Sequence, residues 1–175
     1  MWKTVSVGFV AISVFIGLLI LGFPARGEAK IIDGKGVTQA DAGWNLSVAL
    51  GVNNMFSSDY WYPVSAGSGA SIYVVDSGVS EEGFNEGAVA NGYNVVNDDV
   101  SGSAKNDCLG HGSKVASVVG SEKYGLAKHA TIVPVKVSEC EEAYSQDNII
   151  EGLEWIKNNP PVNGSTGIGG FIPTL

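Results

Sequence analysis

A chain of 175 residues is long enough for one ordinary domain and too short for two once any leader is removed. Its 45% apolar and 16% charged residues exclude a disordered tail, and its 24 glycines point to a loop-rich α/β chain with many tight turns. The formal charge of −8 argues against nucleic acid as a partner.

The chain opens on Met1-Trp2-Lys3, then runs uncharged from Thr4 to Ala25 around the apolar core Phe15 to Leu21. That is a secretory leader pattern, and the small residues Ala25 and Gly27 set cleavage after Gly27, or after Ala29 as the neighbouring option. The alternative is an uncleaved signal anchor, since about twenty apolar residues can span a bilayer. A membrane contact is expected only in that case. Removing residues 1–27 takes away Lys3 and Arg26 but no acid, leaving 8 basic against 18 acidic side chains and a formal charge of −10. In the oxidising compartment that export implies, Cys108 and Cys140 are expected to pair rather than to hold a metal. Asn45-Leu46-Ser47 and Asn163-Gly164-Ser165 are glycosylation sequons in a eukaryotic source.

Residues 28–70 are polar and Gly/Ser/Asn-rich with no sustained period, which reads as an irregular stretch. Its first part, 28–43, is taken as a short N-terminal arm. Trp44, Tyr60, Trp61 and Tyr62 form an aromatic group that core and arm packing explain. Ser71-Ile72-Tyr73-Val74-Val75 reads as a buried strand stopped by Asp76-Ser77-Gly78, and Tyr93 to Val96 as a weaker strand before the polar loop Asn97 to Gly110. Val115, Val118 and Val119 set one apolar face of a short helix closed by Gly120, with His111 at its start. Thr131 to Val137 is a strand whose Pro134 favours an edge or irregular position. Ile149, Ile150, Leu153 and Ile156 give the best helix, from about Ser145 to Lys157, stopped by Asn158-Asn159-Pro160. Strands alternating with helices imply a parallel sheet. From Pro161 to Leu175 turn residues dominate and no further strand is readable.

Side chains just past the end of a parallel strand line the crevice of such a sheet, which singles out Asp76. His111, between Gly110 and Gly112, sits on unhindered backbone. Each taken alone is equally well a turn or loop residue. Together they say more. Tyr73-Val74-Val75-Asp76-Ser77-Gly78-Val79 and His111-Gly112-Ser113-Lys114-Val115-Ala116-Ser117 resemble the Asp and His motifs of subtilisin-like serine proteases, the latter usually His-Gly-Thr-His-Val-Ala-Gly. Tyr124 to Lys128 and Pro134 to Val137 are similar to the proteinase K branch. Cys108 and Cys140 resemble a disulfide of its aqualysin-like members. The likeness runs from about Trp44 to Lys157.

The resemblance implies a three-layer, parallel-sheet subtilisin-like fold, truncated, with residues 44–160 as the N-terminal part of a peptidase domain and 161–175 as a divergent tail. It implies that Asp76 orients His111 and that His111 takes a proton from a serine attacking a peptide carbonyl. The family's Gly-Thr-Ser-x-Ala segment does not occur in these 175 residues, nor does a Gly-x-Ser-x-Gly elbow. A polypeptide is therefore the expected partner only once that segment is supplied. The expectation is an incomplete or inactive chain, arising from the gene model, from splicing or from an early stop; the alternative is an exported non-catalytic binding module. Three departures accompany this. Lys114 stands where the family has a second His. Ser117 replaces a glycine expected at a close helix–sheet approach. The short arm leaves no room for the usual propeptide. No cofactor is implied. Asp98, Asp99 and Asp107 are candidate calcium oxygens but read as a solvated acidic loop, and no metal is assigned. His129 is expected to face solvent.

The exported chain is predicted to begin at Glu28 or Lys30. N-terminal sequencing of secreted material checks this, and recovery of Met1 would establish the anchor instead.

Overall fold

The computed structural model describes residues 29–32, 36–49, 59–96, 102–140, 144–161 and 165–169. Residues 1–28, on which the expected leader falls, lie outside these.

The organising element is β4 (Ala70–Asp76), in which β-branched and aromatic residues favour extended backbone. It pairs in parallel with β6 (Thr131–Lys136) on one side and β7 (Ser165–Gly169) on the other, and β6 pairs in turn with the short β5 (Tyr93–Asn94). The strand order is β5-β6-β4-β7. β7 corrects the expectation of a strandless tail: Ser-Thr-Gly-Ile-Gly has little strand propensity of its own, and the strand exists because the edge of β4 offers unpaired backbone groups in register, Ala70 with Ser165 through Val74 with Gly169.

β6 corrects a second expectation, because it lies inside the sheet rather than at an edge. Proline is tolerated there for a local reason. Ile132 exchanges backbone hydrogen bonds with Ala88 and Ala90, and Lys136 O accepts from Val95 N. The same side of Pro134 therefore faces the gap between the Val89–Ile132 bridge and the β5 pairing, where no donor is required.

Alternation along the strands divides the core into two layers. Tyr73, Val75, Val135 and Val137 pack with Ile156, Ile149 and Trp155 of α3 (Gln146–Asn158). Val74 and Ile132 pack on the opposite face with Ala116, Val115 and Val119 of α2 (His111–Gly120). Sheet between helices makes the three-layer α/β fold. Val115 and Val119, and Ile149 and Ile156, pack on the sheet as their spacing predicts, but each buried stripe is centred on small residues and part of each expected face turns outward. On α2 the buried positions are Gly112, Ala116 and Gly120, while Val118 is 49% exposed on the far side. On α3 they are Gly152 and Ile156, while Ile150 and Leu153 face outward. Small residues win these positions because they let helix backbone approach the sheet; a Cβ on Gly152 would lie 2.9 Å from Val137 Cγ1. Ser117 is not at this contact. Its hydroxyl donates back to Lys114 O at 2.8 Å, and Lys114 itself is exposed.

Described residues of the segment expected to be irregular form a second sheet. β1 (Ala29–Ile32), β2 (Gly36–Gln39) and β3 (Tyr60–Pro63) pair antiparallel in that order, and α1 (Trp44–Ala49) lies between β2 and β3 in the chain. Tyr60 and Tyr62 point inward and stack at 5.4 Å, whereas Trp44 and Trp61 are exposed. Lys128 is buried against both tyrosine rings, 5.6 and 5.5 Å from their centroids, and donates to Glu122 O at 2.9 Å. Burial pushes its pKa down to about 8, against the opposite pull of Glu122.

Cys108 and Cys140 form a disulfide with Cα atoms 5.5 Å apart. It ties the loop before α2 to the segment after β6, and across a sequence separation of 32 residues the chain-entropy estimate is roughly 3–4 kcal/mol. Replacing both cysteines by serine is expected to lower the unfolding free energy by about that amount, read from urea unfolding with the m-value fitted for each form, since the opened chain unfolds to a more expanded state; an unchanged unfolding free energy would contradict it.

Candidate active site

The even-numbered residues of β4 face α2, so the strand that buries Val74 against Ala116 must also aim Asp76 at the start of that helix. Asp76 is 1% exposed. Its Oδ1 accepts from Ser77 N at 2.7 Å, and His111 Nδ1 lies 2.8 Å from Oδ1 and 2.9 Å from Oδ2. A carboxylate only accepts, so Nδ1 carries a ring proton, and whenever the ring is neutral its lone pair lies at Nε2. The His111 side chain keeps 34% of its surface exposed. A buried acid and a half-open base are thus held in contact, the arrangement that activates a hydroxyl nucleophile.

The helix start is pressed onto the strand end. A Cβ on Gly112 would collide with Gly78 O and crowd Asp76 Cβ, so only glycine permits this approach. The amides of the first turn are satisfied from outside the helix. Gly112 N donates to Ser77 Oγ at 3.0 Å and Ser113 N to Asp107 Oδ2 at 2.7 Å. Gly110 N and Ser77 Oγ donate to Asp107 Oδ1 at 2.8 and 2.7 Å. Ser113 Oγ in turn accepts from Ser80 N at 2.9 Å.

Asp76 and His111, paired from the sequence, are brought together; so are Cys108 and Cys140. Asp107, raised as a calcium oxygen, accepts protein hydrogen bonds at both of its oxygens. Asp98, Asp99 and Asn163 lie outside the described residues. Asn45 Nδ2 donates to Tyr124 O at 2.9 Å, and its sequon partner Ser47 is fully buried, so this sequon is closed to an enzyme acting on the folded chain. His129 is exposed, with Nδ1 3.0 Å from Val64 O.

Sequence reasoning missed three contributors. Ser77 was read only as a turn residue. Tyr144 OH reaches Asp76 Oδ1 at 3.4 Å, from a segment with no pattern of its own. Lys136, opposite Asp76 in the β4–β6 register, is fully buried and donates to Asn106 O at 3.0 Å. Its place in an apolar run, the even position beside Asp76, is the signal that marks it.

Burial, followed by the charge of Asp76 and the hydrogen bond to it, pushes the Tyr144 phenol up to about 12 from 10.0. The unfolded chain loses this proton first, so Tyr144 contributes stability that is complete below pH 10 and is lost as pH rises toward 12. Phenolate absorbance is expected to show one tyrosine ionising near 12 that disappears in Tyr144→Phe; an unchanged titration would break the assignment.

Comparison with known proteins agrees with this geometry. The subtilase family model matches residues 67–168, which extends the likeness past Asn163 and into β7. Subtilisin-like protease 6 of Trichophyton equinum is 44% identical over 98 residues, covering 55% of this chain and 22% of that protein. Its counterpart in Arthroderma benhamiae is 34% identical over 123 residues, covering 70% and 28%. The crystal structure of a cold adapted subtilisin-like serine proteinase superimposes with a TM-score of 0.63 at 31% identity, covering 74% of this chain and 45% of that one. The chain thus spans about a quarter of the length of these curated relatives. With the family's Asp and His motifs meeting at one sheet edge and the match covering more than half of the sequence, the chain belongs to the subtilase family of serine proteases.

Proposed function

We propose that this chain supplies the acid–base half of a serine endopeptidase site. The observation that carries the reading is the Asp76–His111 contact, 2.8 Å from Nδ1 to Oδ1, with the base left half exposed. In this mechanism His111 Nε2 takes the proton of a serine hydroxyl as that oxygen attacks a peptide carbonyl, then returns it to the leaving amine. Asp76 fixes the tautomer and stabilises the imidazolium between those steps. The serine belongs to a Gly-Thr-Ser-x-Ala segment that these 175 residues do not contain. Residues 1–175 alone are accordingly proposed to hydrolyse no peptide bond, since loss of one triad member costs on the order of 10⁶ in kcat. The polypeptide substrate belongs to the completed site. Export through the leader fits the disulfide.

A fluorophosphonate serine probe tests both parts of the proposal. The secreted form of this chain is expected to remain unlabelled. A fusion continuing from β7 into the remainder of the Trichophyton equinum relative is expected to label at one serine, and His111→Ala to abolish that labelling. Labelling of the short chain that depends on His111 would reveal a nucleophile within it. A folded but unlabelled fusion would overturn the acid–base assignment.

A further inference from the structure

We infer that Asp107 is a positioning residue for the Asp76–His111 pair, its carboxylate fixing the angle at which the His111 ring meets Asp76. The inference deepens the reading above and rests on it.

Asp107 touches neither member of the pair. It holds the pieces that carry them. Through Oδ1 it accepts from Ser77 Oγ, the residue next to Asp76, and from Gly110 N, the residue before His111. Through Oδ2 it accepts from Ser113 N, two residues beyond His111. Ser77 Oγ passes the link on by accepting from Gly112 N at 3.0 Å. One carboxylate therefore spans the strand end and both sides of the histidine. The backbone just before α2 gives no help of its own: Gly110, its N-cap, is a glycine with φ 69° and has no side chain to cap the helix. Asp107, three residues earlier, provides that cap from outside, where a negative charge at the helix start is favourable.

The described part of the loop that presents Asp107, residues 102–110, is anchored at several points. Val79 N donates to Ala104 O at 3.0 Å, and Lys136 Nζ holds Asn106 O at 3.0 Å. The adjacent residue, Cys108, is fixed by its disulfide to Cys140. A carboxylate on so constrained a loop acts as a fixed reference against which helix and strand are set, which is what a proton-transfer pair requires of its surroundings.

The test uses the 175-residue chain and the solvent exchange of the His111 Nδ1 proton, which a carboxylate partner shifts far downfield in proton NMR. In the wild-type chain this resonance is expected; its absence would refute the Asp76–His111 reading itself, independently of Asp107. Asp107→Ala is expected to speed its exchange by about tenfold or more, the factor that losing a hydrogen bond to a charged group gives. The core amides of Val75 and Val135 are expected to keep their protection. Ser77→Ala, which also removes the contacts of Ser77 Oγ to Asp76 Oδ1 and Gly112 N, should accelerate exchange by itself and combine less than additively with Asp107→Ala, because the two share the Ser77–Asp107 hydrogen bond. Exchange in Asp107→Ala within about twofold of wild type would overturn the inference, as would equal loss of protection at the core amides, which marks a purely structural role. Should Asp107→Ala not fold, Asp107→Asn, which keeps an oxygen for Gly110 and Ser77, is judged by the same two criteria.

Discussion

The seating of the first turn of α2 on the end of β4 is the constraint on which the rest of the structure depends. It requires a residue without a side chain at Gly112, because the helix start meets Gly78 O and Asp76 Cβ at closer range than any Cβ allows. It also requires that the first-turn amides find acceptors, which Ser77 Oγ and Asp107 provide. Once both conditions hold, His111 has little choice of direction. Its ring falls over the carboxylate that the pleat of β4 has already turned toward the helix.

Two buried lysines show how the molecule treats charge away from that contact. Lys136 and Lys128 both give their ammonium protons to backbone carbonyls, those of Asn106 and Glu122. Each thereby pins a connecting segment to the ordered sheets, Lys136 beneath the loop before α2 and Lys128 beneath the turn after it. Lys128 has in addition two tyrosine faces from β3, so the antiparallel sheet is joined to the parallel one by a cation in an aromatic setting. Burying an ammonium is costly unless it is hydrogen-bonded, and in both cases the hydrogen bond is made to a loop whose position matters.

The packing of the two helices obeys the same demand for closeness. α2 and α3 turn glycine and alanine toward the sheet and leave Val118, Ile150 and Leu153 outside. Helices that ride this near to a sheet gain dispersion contacts along their backbones beside those of Val115, Val119, Ile149 and Ile156. The cost is apolar surface left facing outward on both helices.

What the sequence determined by itself was whatever rests on local pattern or on a short motif. The run Ile72 to Val75 and its stop at Asp76, the helix opening at His111, the strand from Thr131 and the helix ending near Asn158 were all legible, because propensity and termination signals lie within a few residues of each other. The Asp76–His111 pairing was legible only through the family's two motifs, since a separation of 35 residues carries no geometry. Tertiary structure decided the rest. β7 has no strand-forming residues beyond Thr166 and Ile168 and is drawn out by the open edge of β4. The strands β1 to β3 are four residues each, too short for a period of two to stand out, and they become strands by pairing with one another. The buried faces of α2 and α3 were set by how near each helix must come to the sheet, a distance that no helical periodicity encodes. Asp107 looked like one acid among several in a polar loop. Its neighbours across space, Ser77, Gly110 and Ser113, gave it a place because folding brings three donors to one carboxylate, and that convergence exists only once the strand end and the helix start have met.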